Sequence, residues 1–337
     1  MRALVFDRTG EPAEVLAQRE LPDPVPGPGQ AIVRVRLAPV HPSDLHILRG
    51  RYGRQPRPPA RPGLECVGTV KALGPDTDGP APGTRVVLLD VWGTWRDLVL
   101  CDAERLVPVP DGVADEVAAQ ALVNPVTAWA LAMEEHRMRP GDWLLQTAAG
   151  STVGRLVLQL ARSEGFRTIN VVRRRAQAEE IRSLGGDVVL CTEDEDLRAR
   201  ILEVTDGKGI SHAIDCVAGR TGADVARSLA PGGSMLVYGA LSSHRQTEPA
   251  AFEMPIFAPR LIYAAASVRG WWLFHWLPSR PVAEAAGALR AVLEHLAFGG
   301  MALPPAALYP LSAVGEAMRD AEAMGRGGKP LLDFRAN

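Results

Sequence analysis

The chain has few cysteines, no long apolar run and almost no net charge, and each shortage excludes a class of protein. Its 337 residues contain four cysteines. These are Cys66, Cys101, Cys191 and Cys216, far apart and without a C-x-x-C among them. They supply neither a four-cysteine structural zinc lobe nor a dithiol redox motif, and are expected to be reduced, packed thiols. No apolar run approaches the ~20 residues of a membrane span. The opening Met-Arg-Ala-Leu-Val-Phe passes straight into polar turn residues and reads as a strand rather than a signal, so a cytoplasmic location is the expectation. A formal net charge of −2 offers no polyanion-binding surface, so neither nucleic acid nor a membrane is an expected partner. Tyrosine is scarce as well: four in the whole chain, which narrows any search for a phenolic acid.

What is present divides the chain in two. A length of 337 residues exceeds one compact core. Up to about residue 115 the sequence is dense in Pro and Gly, with short apolar runs at Ala31 to Leu37, Cys66 to Val70, Arg85 to Leu89 and Leu98 to Cys101. That texture predicts a β-rich domain. Glu116 to Ala121 and Thr127 to Met133 are helical in pattern. Strands are then expected at Trp143–Gln146, Thr168–Val172, Asp187–Cys191, His212–Val217 and Ser234–Gly239. Helices are expected between them, at Thr152–Glu164, Ala176–Leu184, Asp196–Thr205 and Ala223–Leu229. Such alternation implies a parallel sheet covered on both faces. Beyond Leu261–Val268 and the aromatic run Trp271–Trp276, a long helix (Val282–Phe298) and a last strand near Pro330–Phe334 are expected to return to the first domain.

The segment from Gly141 to Arg175 carries the most chemistry. Trp143 to Gln146 is a short buried strand, Ala148 to Gly154 contains nothing larger than Val, and Leu156, Leu160 and Ala161 mark one helix face. Small residues let backbone N–H groups approach a pyrophosphate at a helix N-terminus. The G-x-G-x-x-G template falls on Ala149, Ser151 and Gly154, so only its last glycine is kept. Ala149, Gly150, Ser151, Thr152, Val153 and Gly154 are therefore the candidate cradle. Where a ribose 2′-hydroxyl would call for an acidic residue, Arg173, Arg174 and Arg175 stand, and guanidinium groups suit a 2′-phosphate. NADPH is the expected cofactor. An ordinary strand-to-helix turn and an arginine-rich solvated loop are the plain alternatives.

Several strings carry a family resemblance: His41-Pro42-Ser43-Asp44 with Gly50-Arg51-Tyr52, Pro62-Gly63-Leu64-Glu65, Asn124-Pro125-Val126-Thr127-Ala128, Thr168-Ile169-Asn170-Val171-Val172-Arg173, Gly232-Gly233 leading to Tyr238-Gly239-Ala240, and Arg269-Gly270-Trp271-Trp272-Leu273. Over essentially its whole length the chain resembles the medium-chain dehydrogenase/reductase superfamily. Within it the match is to the zinc-free branch of quinone reductases and trans-2-enoyl thioester reductases. The resemblance implies an α/β fold: a GroES-like β-rich catalytic domain over 1–115 and 270–337, and a Rossmann domain, a doubly wound parallel sheet, over 116–269. In such relatives the cofactor turn is Ser-rich rather than Gly-rich, which accounts for the missing glycines.

By the same resemblance, His41 and Leu64 stand where zinc enzymes carry metal ligands, with Asn124 or its neighbours at the remaining place. Leu64 coordinates nothing, and no metal is expected. Hydride would go to an already electrophilic acceptor, an enoyl thioester or enone, or else a quinone. Tyr52 matches the tyrosine acid of enoyl thioester reductases, although Gly53 stands where the family has Pro. Thr127 is the second catalytic candidate. Asn124, Tyr238, Gly239, Ala240, Trp271, Trp272 and Leu273 are expected at the cofactor, and His41, Tyr52 and Phe274 at the substrate. Asn124-Pro125 can equally be a helix cap. Asp44 and Glu65 are structural in relatives. Arg49, Arg51, Arg54, Arg57 and Arg61 would receive coenzyme A phosphates or the acidic face of an acyl carrier protein, or form a solvated loop. A homodimer is the family expectation, and a non-catalytic, crystallin-like NADPH binder is the reading from another class.

Overall fold

A computed structural model describes residues 1–243, 246, 248–323 and 328–336. Its strands are β1 (Arg2–Phe6), β2 (Leu16–Glu20), β3 (Gln30–Pro39), β4 (Val67–Leu73), β5 (Arg85–Leu88), β6 (Leu98–Asp102), β7 (Leu106–Pro108), β8 (Trp143–Thr147), β9 (Arg167–Val172), β10 (Val188–Cys191), β11 (Ile210–Asp215), β12 (Leu229–Val237), β13 (Ser267–Gly270), β14 (Ala306–Pro310) and β15 (Lys329–Asp333). The chain divides into two compact units, Met1–Val126 with Leu277–Asn337, and Thr127–Trp276.

The first unit is built on a seven-stranded sheet in the order β14-β15-β3-β4-β5-β7, with β6 also paired to β3. Strand β3 alternates buried apolar residues with Arg34 and Arg36, as a sheet with one packed face requires. The chain's last strand, β15, pairs antiparallel with β3 through Leu331 and Pro39, and Val40 N–H donates to Pro330 at 2.9 Å. That pairing places Lys329 beside His41, two residues past the end of β3.

The second unit holds a six-stranded, all-parallel sheet in the order β10-β9-β8-β11-β12-β13. The direction of winding reverses between β8 and β11, and ligands of such sheets bind beyond the carboxyl ends of those strands. One core contains Leu145, Ile169, Leu190, Ile201 and Met235, and a second packs Leu158, Val172, Ala178 and Ile181. The Rossmann expectation is met by this order.

Boundaries depart from the sequence expectation in places. The units part at Val126/Thr127 and Trp276/Leu277 rather than near 115 and 270. Asp115 is tied to the first unit by Arg36 at 2.6 Å and Arg85 at 3.1 Å, and Trp271 N–H is held by Val237 at 2.8 Å in the second. Strand β12 begins at Leu229, because the ladder with β11 shifts register around Gly232-Gly233. The helix expected from Thr127 starts at Val123 and continues as π-helical turns through Ala130–Glu135. The apolar run after Leu261 splits into the helix Ala258–Ala264 and strand β13. Among the described residues, no helix is long and apolar enough to cross a membrane, and all four cysteines are buried and free.

Candidate active site

In the first unit, His41 sits at the entrance of the helix Pro42–Leu48 and is buried. Its Nε2 lies 2.5 Å from Glu65 Oε1, and its Nδ1 lies 2.7 Å from the ammonium of Lys329. An ammonium only donates, so Nδ1 accepts and Nε2 carries the proton shared with Glu65. The second carboxylate oxygen of Glu65 accepts from Leu122 N–H at 2.9 Å and Val123 N–H at 2.8 Å. Glu65 therefore closes the start of the helix Val123–Trp129, which answers one question left by the sequence: Asn124 lies inside the first turn and is not its cap. Asp44 is fully buried and accepts from His41 N–H at 2.8 Å and Gly63 N–H at 3.2 Å, while desolvation pushes its carboxyl up to about 7.

This geometry revises the expectation that His41 touches substrate, since protein groups occupy both its ring nitrogens. Nor do these side chains suit a zinc ion: His41 is engaged on both sides, Leu64 has no donor atom, and the Lys329 cation adjoins the imidazole. No group of three His, Cys, Asp or Glu side chains is placed to hold a metal among the described residues.

Tyr52 follows that helix in a loop and is half-buried, its ring 6.1 Å from that of Trp92. The Arg54 guanidinium lies over the Trp92 ring at 4.8 Å. Arg49, by contrast, is committed to the fold, clamped by Glu11 at 3.1 Å and Glu322 at 2.5 Å. It leaves the set of arginines open to a ligand.

In the second unit, strand β8 runs into the turn Ala148–Ser151 and the helix Thr152–Glu164. Ser151 is the N-cap, its Oγ accepting from Gly154 N–H at 3.1 Å. The N–H groups of Gly150, Thr152 and Val153 have no protein acceptor among the described hydrogen bonds. A Cβ on Gly154 would stand 2.5 Å from the Ala149 carbonyl oxygen, so glycine alone allows the helix to approach the strand this closely. Ala148, the residue before the first template position, takes φ +48°, a left-handed conformation that a non-glycine residue rarely adopts. An anion could take the three N–H groups, so the turn fits a pyrophosphate.

The three arginines beyond β9 differ in their engagement. Arg175 pairs with Asp194 at 2.5 Å, while Arg173 and Arg174 are exposed and enter no described ion pair. Thr127 and Trp271 are buried, as are Leu273 and Phe274, the latter edge-on to Trp272 with centroids 5.9 Å apart. The Trp271 Nε1 is buried and has no hydrogen-bond partner among the described residues, and the buried Tyr238 hydroxyl adjoins Cys216 and Ser151. Burial raises the Tyr238 phenol well above its ordinary value. Gly239 packs against Cys216, with no room for a side chain larger than hydrogen without displacement.

Sequence reasoning missed one member of this region. The buried Asp215 carboxylate accepts from Thr147 Oγ1 at 2.5 Å, Val217 N–H at 3.0 Å and Ala218 N–H at 2.9 Å. It ties the ends of β8 and β11 together beside Ala218, itself at φ +57°. The only sequence signal was an acidic residue within the apolar strand His212–Val217.

A β-rich unit with a GroES-like sheet and a Rossmann unit with a phosphate-sized turn define the two-unit dehydrogenase class. Residues 27–111 match the alcohol dehydrogenase GroES-like domain and residues 152–301 the zinc-binding dehydrogenase domain. The mitochondrial enoyl-[acyl-carrier-protein] reductase of Rattus norvegicus is 34% identical over 288 residues, covering 82% of this chain and 73% of that protein. A structure from Bacillus thuringiensis, described as an NADPH:quinone reductase, superposes with TM-score 0.89 at 29% identity, over 98% of each chain. A mycobacterial protein in complex with NADPH gives TM-score 0.83 at 29% identity over 99% of this chain and 100% of its own. The chain belongs to the medium-chain dehydrogenase/reductase superfamily, in the branch that holds the mitochondrial enoyl-[acyl-carrier-protein] reductases.

Proposed function

We propose that the protein is an NADPH-dependent oxidoreductase that reduces the activated C=C bond of an enoyl thioester or enone without zinc. The observation that carries this reading is the closed Glu65–His41–Lys329 chain. With both imidazole nitrogens engaged and a cation beside them, neither a metal nor a free base is placed to take a proton from an alcohol. What remains is Tyr52, a neutral phenol on a loop, suited to hydrogen-bond a thioester oxygen and hand a proton to the enolate.

Gly150, Thr152 and Val153 N–H groups would hold the cofactor pyrophosphate, and Arg173 and Arg174 its 2′-phosphate. The bound nicotinamide supplies the hydride. Tyr238, Gly239, Ala240 and the Trp271–Leu273 segment line the carboxyl end of the sheet, where small residues leave space for a flat ring. Thr127 and Asn124 lie on the helix that Glu65 anchors, so its rigidity supports their orientation.

The names of structural neighbours favour a second reading, reduction of a quinone, which needs no tyrosine acid. A side-by-side screen of NADPH consumption with crotonyl thioesters, simple enones and quinones tests both. Replacing Tyr52 by Phe should lower enoyl-thioester turnover by about 10²-fold. An unchanged rate with thioesters would transfer the assignment to the quinone reading.

A second copy of the chain is the partner this reading favours. Edge strand β13 is open on one side, and Ile262 and Tyr263 just before it are 70% and 88% exposed. Light scattering at the mass of one chain would refute the pairing.

A further inference from the structure

Trp92, which packs against Tyr52, also borders a cavity of about 250 Å³ within the first unit, and Arg57, Arg61 and Arg96 line it. Nothing in the chemistry above uses these three arginines together. Arg96 follows the buried Trp95 on the segment leading to β6, far in sequence from the loop that carries Arg57 and Arg61. Its Nε is buried and has no hydrogen-bond partner. The neighbouring carboxylates are committed elsewhere: Asp97 to Arg2 at 3.0 Å and Asp90 to Arg105 at 3.7 Å. No described ion pair includes Arg57, Arg61 or Arg96.

Two physical consequences follow. Loss of water and repulsion from Arg61 lower the Arg96 guanidinium to about 10, far below its usual basicity. A largely desolvated cation beside a second cation, with no counter-charge, is costly unless an anion completes the group. Arg61 lies against Gly93: a Cβ built on that glycine would stand 3.4 Å from the Arg61 Cβ. An arginine-rich solvated loop explains the exposed Arg57, but it does not explain Arg96. Two partly buried guanidinium groups and an exposed third around one cavity suit a phosphate dianion, which accepts paired N–H bonds from such groups.

Resting on the enoyl-thioester reading, we propose that this cavity seats the phosphate of a phosphopantetheine thioester. Trp92, shared by the cavity wall and the Tyr52 ring, links phosphate binding to placement of the thioester arm. The group is common to coenzyme A and to the prosthetic arm of an acyl carrier protein.

The test compares kcat/KM for crotonyl-pantetheine and crotonyl-4′-phosphopantetheine in the wild type, R61Q and R96Q. The wild type should prefer the phosphorylated substrate by about tenfold or more, and each variant should bring that preference close to parity. Equal kcat/KM for the two substrates in the wild type overturns the proposal. So does a preference that survives both substitutions. Crotonyl-CoA and crotonyl-carrier protein separate the two sources: the substrate that loses more in R61Q is the one the cavity serves, and no loss with either overturns the assignment. If no enoyl thioester is reduced, the activity reading fails, and the cavity is judged by calorimetry on the wild type alone. Tighter binding of 4′-phosphopantetheine than of pantetheine then supports it, and equal binding refutes it. If R96Q does not fold, R57Q at the exposed rim should still halve the preference or better, and an unaltered ratio counts against the cavity.

Discussion

The Lys329 ammonium donates to His41 Nδ1 at 2.7 Å, across a sequence separation of 288 residues. That one contact fixes the imidazole tautomer and points its remaining N–H at Glu65, whose other oxygen anchors the start of the helix carrying Asn124 and Thr127. The final strand of the chain is thereby connected to the helix Val123–Trp129 through three side chains.

Replacing Lys329 by Met removes the hydrogen bond that His41 Nδ1 accepts in the buried His41–Glu65 pair. Losing the partner of a buried polar group costs about 1–3 kcal/mol. The urea midpoint should fall accordingly. A midpoint equal to that of the wild type would mean that Lys329 is a bystander.

Arg173 and Arg174 are the exposed members of their triplet and enter no ion pair among the described residues, whereas Arg175 is held by Asp194. Arg173→Ala and Arg174→Ala should each weaken NADPH binding about tenfold, on the order of 1.4 kcal/mol, and leave NADH binding unchanged. Arg175→Ala should do less. Calorimetry decides, and equal loss for both nucleotides would dissociate these arginines from the 2′-phosphate.

Gly154 and Gly150 lie four residues apart but make opposite demands. A methyl at Gly154 meets backbone, the Ala149 oxygen at 2.5 Å and Cα at 2.7 Å, whereas one at Gly150 first meets the flexible Gln177 amide at 3.2 Å. Gly154→Ala should cost about 1–3 kcal/mol and weaken the cofactor together with the fold. Gly150→Ala should be nearly silent in thermal unfolding. Similar melting temperatures for the two variants would contradict the packing argument.

His136 is half-buried in the second unit, bonded to the Ala213 carbonyl at 3.0 Å and edge-on to His212 at 5.2 Å. Burial, above all, lowers its pKa to about 4. Below pH 6.5 the unfolded chain takes up a proton that the native ring refuses. Stability contributed by the neutral ring is therefore complete above about pH 6.5, declines as the pH falls, and levels off below about 4. The full span is at most about 3 kcal/mol. Denaturation midpoints of His136→Gln, followed from pH 7 to 4, should show a shallower acid slope than the wild type; parallel slopes would locate the acid sensitivity elsewhere.

The Rossmann half was readable because its signals are local. Apolar periodicity in Leu156, Leu160 and Ala161, small residues before Gly154 and a strand of β-branched residues at Thr168–Val172 each reflect contacts within a few turns of chain. His41 illustrates the opposite case. Its resemblance to a ligand position suggested contact with substrate, but its ring is taken by groups that sequence distance hides. The same holds for Arg49, which reads as one of five loop cations until Glu11 and Glu322 close on it. Asp215 was passed over because an acid within an apolar strand gives no hint that it faces the amides of its own following turn.

Local order of residue types, then, set the two-unit plan, the parallel sheet, the small-residue turn, the arginines beyond β9 and the loop that carries Tyr52. Only the folded chain decided which cations are spent and which remain: Lys329 on His41, Arg49 on two glutamates, Arg96 in no ion pair among the described residues. The reason is that backbone periodicity is satisfied by near neighbours, whereas a buried charge is satisfied by whatever strand pairing brings within 3 Å, and that pairing joins segments hundreds of residues apart.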